Sequence, residues 1–86
     1  MQTIDGARIW QIKATHGLPL DMAIQRCASR GFVPTWLELL DAAERDGANI
    51  PVLIRELQYC VTEAYEPDFA RAVNEKLGWY APPSSQ

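Results

Sequence analysis

Apolar residues recur at helical spacing in five stretches of this chain. The longest is Ile50, Leu53, Ile54, Leu57, Cys60, Val61 and Ala64, at i, i+3, i+4, i+7, i+10, i+11 and i+14. That spacing draws one continuous apolar face, so a helix over 50–64 is expected to be the central element of the core. Asn49 stands where its N-cap belongs. Upstream, Ile9, Trp10 and Ile12 oppose a polar stripe of Asp5, Arg8, Gln11 and Thr15, predicting a helix over about 4–16. Leu20, Ala23, Ile24, Cys27 and Ala28 give a narrow face of mostly small residues over 19–30. Trp36, Leu39, Leu40 and Ala43 mark a third helix over 35–46, and Phe69, Ala70, Val73 and Leu77 a fifth over 67–77.

The punctuation agrees with this division. Gly17, Gly31, Gly47 and Gly78 each follow a periodic stretch, as C-terminal caps do, and Pro19, Pro34, Pro51 and Pro67 stand near the starts. Thr35-x-x-Glu38 has the form of a capping box. Asp41 with Arg45, and Arg71 with Glu75, are spaced to pair on a helix surface. Strand-like alternation never persists, and there is no internal repeat. The reading is all-α: a compact single-domain bundle of five short helices over 1–78. An extended C-terminal tail follows over 79–86, where Pro82 and Pro83 oppose helix.

Composition narrows the functional classes. Of 86 residues, 28 are large and apolar, enough for one small core and not for two domains. The polar N-terminus lacks the basic start and apolar stretch of a secretion signal, and no apolar run is long enough to cross a bilayer. A cytoplasmic location with no membrane contact is the expectation. Cys27 and Cys60 are 33 residues apart without CxxC spacing, and each falls on an apolar stripe. They read as small buried core residues rather than a disulfide or metal ligands. His16 is the sole histidine, placed where it complements a helix C-terminus. No catalytic motif is present, so no catalytic residue, no cofactor, no metal and no small-molecule ligand is assigned; the chain reads as non-enzymatic.

The net charge of −3 is unevenly spread: residues 1–34 carry +2 and residues 35–86 carry −5. A DNA-reading helix-turn-helix is disfavoured, because its recognition helix would hold four acidic residues (Glu38, Asp41, Glu44, Asp46) against Arg45 alone. Arg8, Lys13, Arg26 and Arg30 are the candidates for a small nucleic-acid-binding patch in the N-terminal third. Alternatively, Arg26 and Arg30 complement the dipole of their own helix.

The run Lys13-Ala14-Thr15-His16-Gly17-Leu18-Pro19-Leu20-Asp21-Met22 resembles a segment of alanyl-tRNA synthetases. In that family a helix ends in a threonine–aromatic–glycine turn, and Phe-Pro-Leu-Asp-Leu opens the next. Thr15, Gly17, Pro19, Leu20 and Asp21 match, His16 replaces the aromatic residue and Leu18 the phenylalanine; a further glycine, Gly31, ends the following helix. The resemblance extends over about 6–47. It implies a helix-turn-helix unit with at most a peripheral RNA contact, since the adenylate-forming motifs and the histidine-rich editing site are absent. The same pattern also has a local cause, with glycine capping one helix, proline starting another and leucine packing across the turn.

What remains is contact with another protein. Val52 and Tyr59 lie beside the main stripe of the fourth helix, Tyr65 follows it, and Trp79 and Tyr80 stand past Gly78. These five are the candidates for a partner-binding surface or a homodimer seam. Trp79 and Tyr80 either fold back on the core or form exposed anchors. In size, acidity and lack of chemistry the chain looks like small accessory proteins of bacteriophages or mobile elements. The leading reading is an adaptor, inhibitor or modulator. A nucleic-acid-associated protein and a structural homo-oligomer are the alternatives.

Overall fold

Five helices form where the periodicity places them. The computed structural model describes residues 1–80, with α1 at Gly6–His16, α2 at Leu20–Ser29, α3 at Trp36–Arg45, α4 at Ile50–Ala64 and α5 at Pro67–Trp79. Two three-residue strands, β1 at Gln2–Ile4 and β2 at Phe32–Pro34, were not legible as alternation. They pair in parallel, Gln2 beside Phe32, Thr3 beside Val33 and Ile4 beside Pro34. The pairing brings the start of the chain against the connection between α2 and α3. The domain is thus all-α apart from this short ribbon.

Local chemistry sets several helix ends. The Asp5 carboxylate accepts from the Ala7 N–H at 3.0 Å, and the Asn49 side chain accepts from the Val52 N–H at 3.2 Å. Gly17 closes α1 with φ of 63°, and the Leu18 N–H returns to the Lys13 carbonyl at 3.1 Å. Gly78 does not cap. The α5 helix runs through it to Trp79, with Tyr80 as the cap, so the helical domain extends two residues beyond 78. The remainder of the expected tail, 81–86, lies outside the described residues.

The Thr35 capping box does not form. The Thr35 hydroxyl instead accepts from the Gly6 N–H at 2.9 Å, and the Thr35 N–H donates to the Ile4 carbonyl at 2.9 Å. One residue thereby holds the start of α1 and the end of β1 against the start of α3. A β-carbon at Gly6 would collide with the Thr35 carbonyl oxygen and the Leu39 backbone, so this approach requires glycine.

The core forms as the stripes predict. Helix α1 packs on α3, and α4 packs against both α2 and α5. Ile24, Leu39, Leu57, Val61 and Leu77 are fully buried, and Cys27 and Cys60 are buried free thiols. Ile12 departs from expectation and is exposed. The Trp10 indole N–H donates to the Asp46 carboxylate at 2.7 Å, joining α1 to the C-terminal end of α3. The expected pairs on the helix surfaces are absent. Arg71 lies 3.8 Å from Asp68 rather than bonding Glu75, and it makes the only ion pair among the described residues.

Candidate functional site

The main concavity is an open groove of about 730 Å³ between α4 and the corner where α1 turns into α2. Val52, Arg55, Glu56 and Tyr59 form its α4 wall. They sit at i, i+3, i+4 and i+7, one stripe turned away from the buried Leu53–Leu57–Val61 side. Val52 is 40% and Tyr59 66% exposed, a large apolar contribution for a polar helix face. The opposite wall comes from Lys13, Leu18, Pro19 and Asp21. Gly17 and Pro19 shape this wall by ending α1 and starting α2 within four residues. Seven of the ten residues carrying the synthetase-like pattern therefore build one side of the groove, while Thr15, His16 and Met22 do not line it.

The other aromatic candidates separate from this surface. Tyr65 is buried at 7% exposure, so it is no contact residue. Its hydroxyl donates to the Phe32 carbonyl at 2.7 Å, and its ring packs on Phe69 with centroids 5.2 Å apart. Burial, and secondarily the nearby Cys27, push its phenol well above the usual tyrosine range. Trp79 is 75% exposed at the end of α5 but does not line the groove. Tyr80 is half-buried and borders a separate hollow between the start of α3 and α5.

The four basic candidates are only partly brought together. Arg26 and Arg30 line a small apolar cleft of about 170 Å³ between α1 and α2, with Phe32 and Ile12. Arg8 flanks the far side of Ile12. Lys13 does not join them: it lines the main groove, its ammonium 4.9 Å from the centre of the Trp10 ring.

Comparison with protein-family models, curated proteins and solved structures finds no match to this chain. The chemistry of the groove therefore rests on its own residues. Cys60 lies at its floor, and burial together with the charges of Asp21 and Glu56 pushes its thiol up to about 11. Such a thiol stays protonated near neutral pH and is a poor nucleophile. Among the described residues, no group of three or more His, Cys, Asp and Glu side chains is placed to hold a metal ion. No described helix is long and apolar enough to cross a membrane.

The sequence singled out Val52 and Tyr59 because they fall off the core stripe. Arg55 and Glu56, which complete the wall between them, were missed although their spacing was available. The facing wall depends on how α1 and α2 pack beside α4, and no local pattern encodes that.

Proposed function

We propose that this chain is a non-enzymatic protein-interaction module whose contact surface is the outer stripe of α4 facing the α1–α2 corner. One observation carries the reading: exposed Val52 and Tyr59 line a groove whose charged side chains, Lys13, Asp21, Arg55 and Glu56, form no ion pair with described residues. Apolar anchors within a polar rim are the composition of an interface whose energy is concentrated in a few residues. Tyrosine suits that role, offering a large contact area with only two side-chain torsions to fix. An adaptor or inhibitor, of the kind common among accessory proteins of bacteriophages and mobile elements, needs no more. The alanyl-tRNA synthetase-like corner enters this reading as scaffold, not as an activity.

The test is association measured with the tagged full chain, against both untagged chain and extract of its native host. Tyr59→Ser is expected to abolish binding while far-UV circular dichroism stays unchanged. Binding that is absent, or indifferent to Tyr59→Ser, overturns the reading.

The second reading, contact with nucleic acid, draws on the convergence of Arg26 and Arg30 on one cleft, with Arg8 adjacent. It requires retention on heparin that weakens steeply with salt. Unchanged retention in the Arg26→Ala/Arg30→Ala variant removes it.

A further inference from the structure

We infer that the partner of the α4 stripe is a second copy of this chain, docked as an antiparallel α4–α4 pair about a twofold axis. The inference rests on the interaction reading above and names the partner it leaves open. Its basis is the order of residues within the stripe: apolar, basic, acidic, apolar.

Val52, Arg55, Glu56 and Tyr59 are arranged symmetrically in sequence about the midpoint between Arg55 and Glu56. A twofold axis through that midpoint sets Val52 of one copy against Tyr59 of the other, and Arg55 against Glu56. Each contact then occurs twice, as a self-complementary interface requires. A parallel pair would instead oppose Arg55 to Arg55 and Glu56 to Glu56, and like charges across an interface disfavour that register. The order of charges thus selects the antiparallel arrangement.

Along α4 these two charges find no partner. Three and four positions from Arg55 stand Pro51, Val52, Gln58 and Tyr59; around Glu56 they are Val52, Leu53, Tyr59 and Cys60. None carries an opposite charge, and neither Arg55 nor Glu56 forms an ion pair with any described residue. The helix is therefore charged in two adjacent places, between two exposed apolar residues, with Lys13 and Asp21 across the groove but in ion-pair contact with neither charge. The second copy satisfies both and covers Val52 and Tyr59 in the same step. The stripe extends about 10 Å, two helical turns. A contact of two turns is short, which favours a reversible dimer over an obligate one.

The test is sedimentation equilibrium of the full chain from low micromolar to near-millimolar concentration, with circular dichroism of every variant. The wild type is expected to dimerise reversibly. Arg55→Glu and Glu56→Arg, which each create like-charge contacts at both symmetric positions, are expected to weaken the dimer about tenfold or more. The double variant Arg55→Glu/Glu56→Arg restores opposite pairs and is expected to recover most of the wild-type association. That rescue distinguishes self-association from any other partner, whose fixed charges the double swap would oppose twice. A monomeric wild type overturns the inference, as does a dimer indifferent to Arg55→Glu or a double variant as weak as the singles. A monomer whose binding to a host protein is lost on Tyr59→Ser overturns the second copy alone. Absence of any Tyr59-dependent association, with itself or with a host protein, overturns the interaction reading as well.

Discussion

The phenol of Tyr65 donates a 2.7 Å hydrogen bond to the backbone carbonyl of Phe32, tying the end of α4 to β2 across 33 positions of sequence. Tyr65→Phe keeps the ring and its packing on Phe69 but leaves that carbonyl without its donor. A loss of about 1–2 kcal/mol is expected, read as a lower urea midpoint with an unchanged slope.

Alkaline pH should destabilise the fold through three buried acids held neutral, Cys27, Cys60 and Tyr65. In the unfolded chain Cys60 ionises near 9.0, and in the folded protein near 11. The folded state therefore retains a proton that the unfolded state releases. The stability is fully present below pH 9 and is lost between pH 9 and pH 11, by up to about 3 kcal/mol. Tyr65, raised from 10.0 by burial, extends the loss above pH 10. Denaturation midpoints measured across this range should fall, and Cys60→Ala should remove its share of the loss that begins near pH 9, leaving the share of Cys27, whose thiol burial also raises.

Gly6→Ala adds one methyl group where the Thr35 carbonyl and Leu39 backbone leave no room. Both obstacles are backbone, so relief requires α1 and α3 to separate. The expected cost is about 3 kcal/mol, with thermal melting as the measurement. Gly17→Ala is instead destabilised by the left-handed backbone at that position, where open space surrounds the glycine. Its expected cost is smaller, about 1 kcal/mol.

Asp46→Ala deprives the Trp10 indole of its acceptor at the junction of α1 and α3. The expected loss is about 1–2 kcal/mol. Tryptophan fluorescence should shift in the folded state, since the indole environment changes. By contrast, Val52→Ser and Tyr59→Ser should each alter stability by less than about 0.5 kcal/mol, because both side chains are exposed.

The helices were legible because each carries enough turns for its period to emerge. Ile50 to Ala64 covers four turns, and its stripe predicted the buried side of α4 at Leu53, Ile54, Leu57, Cys60 and Val61, with Ile50 and Ala64 at its ends only partly buried. Tyr65 was misplaced one position later. The backbone there swings to φ −115° and ψ 162°, so the rotation that holds through Ala64 no longer says where the side chain points. Thr35 shows another limit: its capping box is a local pattern, but its hydroxyl is taken by Gly6, 29 positions away. Strands of three residues contain too few alternations to register, and the proline ending β2 argued against a strand altogether. Gly78 looked like a stop signal, yet its conformation is helical and α5 continues through it. Of the groove, the α4 wall was readable from one helix, while the facing wall arises from packing between elements.

The ribbon of β1 and β2 has a kinetic consequence. Each helix can form from contacts a few residues apart, but Gln2 meets Phe32 and Tyr65 reaches that same Phe32 only after long loops close. Two segments distant in sequence thus converge on a three-residue strand between α2 and α3. Docking onto β2 is then the step at which separately formed helices commit to a common arrangement, and the strand's amides should exchange with solvent only when the whole domain opens.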